Sequence, residues 1–183
     1  NQSYMFLLDL KIPDQKSFII PIKTIYKNRI NINNIDIIIL AGGLGTRLRS
    51  ITGNNPKCLS PVNGQPFIHF LMDQYVAQGF KRFIISVGYQ KEKVMKSLKS
   101  RKDCTIVFCQ ENEPLGTGGA IKKSEKYITS DNVIILNGDS LINLNADHLV
   151  NWHYKMESRC TIVATKIENR KRYGTIEIDN KSR

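Results

Sequence analysis

The residues best suited to chemistry are Leu40-Ala41-Gly42-Gly43-Leu44-Gly45-Thr46-Arg47-Leu48, followed by Pro56-Lys57. They come directly after an isoleucine-rich run, Ile35 to Leu40, that reads as a buried strand. Glycines without a Cβ let backbone N–H groups approach phosphate oxygens closely. Arg47 adds a planar fork of donors and Lys57 a compact charge. Together they suit the binding of a nucleoside triphosphate. Two other glycine-rich readings fail. A dinucleotide fingerprint needs a sixth-place glycine, where Leu48 stands, and an acid about twenty residues on, where Asn63 and Gly64 stand. A P-loop needs a Gly-Lys pair, and the sequence has none.

Two further segments offer complementary chemistry. In Leu136-Asn137-Gly138-Asp139 a carboxylate follows an apolar run. Such a carboxylate suits a hard divalent cation that also touches phosphate, and magnesium (Mg2+) is the expected cofactor, with Asp139 as its ligand. In Glu111-Asn112-Glu113-Pro114-Leu115-Gly116-Thr117-Gly118-Gly119 the glycines open a helical pattern. There, free N–H groups and bare backbone can lie against a flat base.

The elements that must position these residues follow from the apolar pattern. Strands are expected over 35–40, 82–88, 104–109, 132–136, 160–167 and 174–178, and helices over 66–78, 90–99, 117–127 and 146–157. This alternation predicts an α/β domain of βαβ units around a mostly parallel sheet, with ligands at the carboxyl ends of the strands. The three chemical segments each follow one of those strands. Residues 1–34 differ: Phe6-Leu7-Leu8, then Pro13-Asp14-Gln15, then Phe18-Ile19-Ile20 suggest a strand, a turn and a strand, and Ile30 to Asn34 reads as a linker. They form an N-terminal appendage or linker ahead of a domain over 35–183. The apolar start could pair with a neighbouring chain, which leaves a homo-oligomer open.

A chain of 183 residues with 41% apolar content can bury a core. Its net charge of +11 favours anionic partners such as nucleotides and sugar phosphates. The basic residues are scattered and carry no aromatic RNA-binding motif, so nucleic acid is not an expected partner. The four cysteines lack Cys-x-x-Cys spacing, which fits a reduced, cytoplasmic protein. No apolar run reaches membrane-spanning length and the first residues lack a signal-peptide layout, so no membrane partner is expected. His69, His148 and His153 form no ligand cluster.

Four ordered motifs, the glycine segment with Pro56-Lys57, Pro114-Leu115-Gly116-Thr117-Gly118-Gly119, Asn137-Gly138-Asp139 and Arg172-Tyr173-Gly174-Thr175, resemble the sugar-1-phosphate nucleotidylyltransferase family. The nearest subgroups by these motifs are the heptose-1-phosphate and then the mannose-1-phosphate guanylyltransferases. The resemblance covers about Asp36 to Glu177. It implies a three-layer, Rossmann-like nucleotidyltransferase (GT-A-like) fold with a mostly parallel mixed sheet. It also implies transfer of a nucleoside monophosphate from an NTP to a sugar 1-phosphate, for surface polysaccharide synthesis.

By the resemblance, Leu40, Ala41, Gly42, Gly43, Gly45 and Thr46 bind the nucleotide, and Arg47 faces the leaving pyrophosphate. Lys57 bridges the two phosphates, Asp139 binds magnesium, and Asn137, Tyr173 and Gly174 border the sugar. Gly116 and Thr117 lie at the base. Relatives that use uridine or thymidine nucleotides place a glutamine five residues before the base-contacting glycine; here that position holds Glu111. A carboxylate only accepts hydrogen bonds, so it matches the adjacent N1–H and N2–H2 of guanine and opposes the carbonyls of uracil. GTP is therefore the favoured nucleotide. A register one residue earlier would put Gln110 there instead, and a uridylyltransferase is the alternative. Family members also carry a Glu-Lys-Pro segment, further sugar-binding strands and a late aspartate beyond the last motif. Without these C-terminal elements the domain is also open to reading as a truncated, non-catalytic nucleotide binder.

Overall fold

The structure, a computed structural model, describes residues 3–7, 31–43 and 55–164. Among the described residues six strands form one sheet in the order β6-β5-β2-β7-β1-β8, and every neighbouring pair of them is parallel. They are β1 (Ser3–Leu7), β2 (Asp36–Leu40), β5 (Arg82–Val87), β6 (Thr105–Gln110), β7 (Asn132–Asn137) and β8 (Cys160–Val163). The helices are α1 (Phe67–Val76), α2 (Lys91–Leu98), α3 (Gly116–Ser124) and α4 (Ala146–Lys155). Each expected element within the described residues is present, with bounds shifted by one to three residues at most ends. The expected strand 160–167 is seen as far as Val163, and 174–178 lies outside the described residues.

Alternation along the strands sorts the core into two layers. Ile37 and Ile39 of β2, with Phe83, Ile85, Ile134 and Leu136, meet the apolar stripes of α1 (Ile68, Leu71, Met72, Tyr75), α2 (Val94, Leu98) and α4 (Leu149, Val150). Ile38, Ile84, Val133 and Ile135 point the other way, toward Ile121 of α3 and Tyr127. A sheet apolar on both faces needs helices on both, and this is the three-layer α/β arrangement.

Strand order reverses at β2, which is flanked by β5 and β7. The chain runs outward through β5 and β6 on one side and to β7 on the other. A crevice opens at the carboxyl ends of strands at such a reversal. The opposite end is fastened by Asp36. This buried carboxylate takes N–H groups from Thr129 at 2.6 Å and Ser130 at 3.3 Å and pairs with Arg82 at 2.9 Å. It ties β2, β5 and the approach to β7 together.

Two features were not anticipated. A two-residue ladder, β3 (Pro61–Val62) with β4 (Gln65–Pro66), closes over Asn63 and Gly64, whose φ angles are +48° and +83°. That is the left-handed pair that Asn-Gly favours in tight hairpins. The other is the place of β1. Its backbone pairs in parallel with β7 (Met5 opposite Ile134) and with β8 (Met5 opposite Thr161), so it lies inside the sheet.

Candidate active site

The glycine segment leaves β2 and is held on both sides by backbone. Ala41 N–H donates to Ser86 O at 2.9 Å, Tyr89 N–H to Gly42 O at 3.3 Å, and Gly138 N–H to Leu40 O at 2.9 Å. The chain passes so close to β7 that a Cβ on Gly138 would lie 2.8 Å from Leu40 O. Glycine there is a requirement of packing, and it fixes Asn137 and Asp139 beside the start of the glycine segment.

Lys57 enters from another direction. It opens a 3-10 turn, Lys57–Leu59, whose middle residue Cys58 is buried in the core against α1. Ser60 O accepts from Phe67 N–H at 2.9 Å, so the short hairpin anchors this turn to the start of α1. Lys57 Nζ stands 3.2 Å from Asp139 Oδ2, with both side chains partly exposed. Burial pushes the Cys58 thiol up to about 12, opposed by a backbone hydrogen bond and aided by the charge of Asp139. At neutral pH this sulfur is a protonated, inert packing group and no nucleophile.

Glu111 follows β6. Its N–H donates to Val87 O at 2.7 Å, and its side chain turns inward, nearly fully buried. Oε1 accepts from the Ser86 hydroxyl at 2.6 Å, and Oε2 accepts from the Leu115 N–H at 3.4 Å. The carboxylate lies over Gly42, where a Cβ would come within 2.6 Å of Oε1. Gln110, the alternative position, is exposed. Helix α3 begins at Gly116, and its N-cap residue Leu115 makes no side-chain cap to the first N–H groups.

These parts surround one cavity of about 490 Å3. Leu40, Ala41, Gly42, Gly43, Lys57, Glu111, Gly116, Thr117, Asn137 and Asp139 all line it. Every expected site residue within the described residues is therefore brought to one place. Gly45, Thr46, Arg47, Tyr173 and Gly174 lie outside the described residues. The wall also includes Cys58, Pro114, Leu115, Ala120 and Gly138, which were not singled out as site residues. Cys58, Leu115 and Gly138 each adjoin a residue that was, and Pro114 and Ala120 lie in or beside the quoted glycine motif; that proximity was the available signal. None of the histidines lines the cavity: His69 bonds Ser97, His153 is buried behind β7, and His148 is exposed.

Magnesium has a restricted fit. Among the described residues no group of three or more His, Cys, Asp or Glu side chains converges as a metal cage. Asp139 supplies one hard carboxylate at the cavity edge, which fits an ion that shares its oxygens with a bound polyphosphate. No described helix is long and apolar enough to cross a membrane.

Comparison with known proteins agrees with this architecture. The Nucleotidyl transferase family matches residues 36–183. A D-glycero-alpha-D-manno-heptose 1-phosphate guanylyltransferase of Aneurinibacillus thermoaerophilus is 36% identical over 143 residues, covering 78% of this chain and 62% of that protein. A mannose-1-phosphate guanyltransferase of Yarrowia lipolytica is 35% identical over 144 residues, covering 76% of this chain and 40% of its own length. The crystal structure of HddC from Yersinia pseudotuberculosis complexed with GMP-PN superposes with a TM-score of 0.61 at 40% identity, over 65% of this chain and 54% of that one. A UDP-glucose pyrophosphorylase at 20% identity and a TM-score of 0.55 shares the fold. The chain thus spans less than two-thirds of the length of these relatives. With a family match across most of its length, and with the strand-end crevice described above, the chain belongs to the nucleotidyl transferase family.

Proposed function

We propose that this protein transfers GMP from GTP to a sugar 1-phosphate, giving a GDP-sugar and pyrophosphate. A phosphate oxygen of the sugar 1-phosphate attacks the α-phosphorus. The bond between that phosphorus and the oxygen bridging to the β-phosphate breaks, and pyrophosphate leaves with the electron pair. No covalent enzyme intermediate is needed, and the inert Cys58 thiol supports that. The work of the site is positioning and charge neutralisation.

In this reading the glycine segment, Gly42, Gly43, Gly45 and Thr46, holds the triphosphate on backbone N–H groups. Arg47 faces the leaving pyrophosphate. Lys57 contacts the α-phosphate and the sugar phosphate. Asp139 holds magnesium, which when bound offsets phosphate charge. Asn137, Tyr173 and Gly174 border the sugar. A heptose or mannose phosphate is supported by the names of the similar proteins.

The observation that carries the choice of base is Glu111. Its carboxylate is buried in the cavity wall and offers only acceptors. Guanine presents N1–H and N2–H2 side by side to such a group. Uracil and adenine each bring acceptors against it. The test is pyrophosphate release from magnesium-GTP, ITP, UTP, dTTP and ATP with mannose and heptose 1-phosphates. GTP is expected to be used best, with ITP weaker because it lacks the N2 amine. Preference for UTP would overturn the guanine reading. Nucleotide binding without pyrophosphate release would overturn catalysis.

A further inference from the structure

Glu111 can read a base only if its carboxylate is held in one orientation. It lies just past the end of β6, but the shorter hydrogen bond to its carboxylate comes from a different strand. Ser86 lies on β5, on the face of the sheet it shares with Ile84, and is fully buried. Its hydroxyl is 2.6 Å from Glu111 Oε1. An ionised carboxylate cannot donate, so the serine donates, and the bond is a short charge-assisted one. Ser86 O meanwhile accepts from Ala41 N–H at the root of the glycine segment. One residue therefore ties the carboxylate to the backbone that borders the same cavity.

We propose that Ser86 is a positioning residue for nucleobase selection, its hydroxyl fixing Glu111 so that both carboxylate oxygens face a guanine edge. This rests on the guanine reading of the site. Two hydrogen bonds set the carboxylate, the Ser86 hydroxyl on Oε1 and the Leu115 N–H on Oε2, and Gly42 leaves it room, since a Cβ there would come within 2.6 Å of Oε1. The Leu115 contact, at 3.4 Å, is long and weak. The Ser86 bond is the strong one of the pair. Each carboxylate oxygen accepts two hydrogen bonds, so each keeps a free position for one guanine donor. Without Ser86 the carboxylate turns about its last torsion, which is broad and soft, and the paired presentation is lost.

The test measures dissociation constants of magnesium-GTP, ATP and UTP by calorimetry for the wild-type chain and for Ser86→Ala, Ser86→Thr, Glu111→Ala and the Ser86→Ala/Glu111→Ala double variant. Wild type is expected to prefer GTP. Ser86→Ala is expected to bind GTP about tenfold more weakly, the size of one charge-assisted hydrogen bond. Its ATP and UTP affinities stay within about twofold of wild type. In the Glu111→Ala background the serine change has no further effect on GTP, because the two act as one unit. Ser86→Thr, which keeps the hydroxyl, retains GTP selectivity. Should Ser86→Ala fail to fold, Ser86→Cys supplies a weaker donor in the same place, and GTP selectivity must then fall between threonine and Glu111→Ala. Equal weakening of all nucleotides, or a GTP loss that persists in the Glu111→Ala background, overturns the role of Ser86 while wild-type GTP preference stands. A wild-type chain that favours UTP or ATP overturns both readings at once.

Discussion

Lys57 and Asp139 meet at 3.2 Å across the mouth of the cavity, and both side chains are partly in water. An ion pair so placed contributes under about 1 kcal/mol to stability, because solvent screens it. Under the proposed function its value lies in chemistry, since a cation and a carboxylate at this spot would face the phosphate charge that shifts in the transfer. Lys57→Ala and Asp139→Asn are each expected to lower turnover about 10²- to 10³-fold. Their melting temperatures should stay within about 4 °C of wild type. Activity assays beside thermal melts check this. A variant that melts early and keeps its specific activity would make the pair structural. Two glycines give a sharper contrast. A Cβ at Gly42 meets the tip of the Glu111 side chain, which can move, whereas a Cβ at Gly138 meets the Leu40 carbonyl, which cannot. Gly42→Ala should therefore fold normally but lose GTP selectivity. Gly138→Ala should cost about 1–3 kcal/mol in denaturant unfolding. Glu111 was legible through the family resemblance, by counting back from Gly116 to the place where relatives carry a glutamine. Ser86 was not, because in Phe83-Ile84-Ile85-Ser86-Val87 it reads as a small residue in an apolar run, and its partner lies 25 residues away.

At the scale of elements, local apolar patterns revealed most of what is seen. Isoleucine-rich runs became β2, β5 and β7, and the glycine start of α3 was read from its residues. The β3–β4 hairpin was missed although Asn63-Gly64 signals it, because two-residue strands leave no periodicity to read. The fastening of α4 to the sheet was also out of reach, because it depends on three separate segments. His153 of α4 has Nδ1 2.8 Å from Thr161 Oγ1 of β8 and Nε2 3.2 Å from Asn132 Oδ1 of β7. Asn132 Nδ2 donates to Tyr154 Oη at 2.6 Å, which leaves its oxygen to accept from an Nε2–H. Burial lowers the pKa of His153, so the folded state disfavours the imidazolium. The unfolded chain then binds the proton more readily than the folded one. Stability from this site is complete above the unfolded value of about 6.5 and is lost as pH falls below it toward the folded value. His69 shifts in the same direction, from burial first and the charge of Arg101 second, so the comparison must isolate His153. Melting temperature should fall between pH 7.5 and pH 5 in the wild type, and the fall should be shallower in His153→Gln. An unchanged slope would remove His153 as its source.

On the scale of the whole molecule, the charge of +11 favours anionic partners, and the reversal of strand order at β2 explains why distant motifs share one cavity. The alternation of strands and helices implied such a crevice before any contact was known. The pairing of the first residues had no comparable signal. Strand order is a long-range property, and Ser3–Leu7 carries no mark that would send it between β7 and β8 in place of an edge or a neighbouring chain. In this position β1 separates two strands that are consecutive in sequence and satisfies backbone groups on both. We therefore treat residues 3–7 as part of the nucleotidyltransferase sheet, where an appendage would be dispensable. Deleting residues 1–7 uncovers the facing edges of β7 and β8 and leaves rows of unpaired N–H and C=O groups open to other chains. The shortened chain is expected to melt at a lower temperature and to associate at concentrations where the full chain does not, as read by thermal melts and light scattering. Because β7 also carries Asn137 and leads into Asp139, nucleotide affinity should fall with it. If the shortened chain keeps its melting temperature, its dispersity and its affinity, the segment is an appendage and the sheet is complete without it.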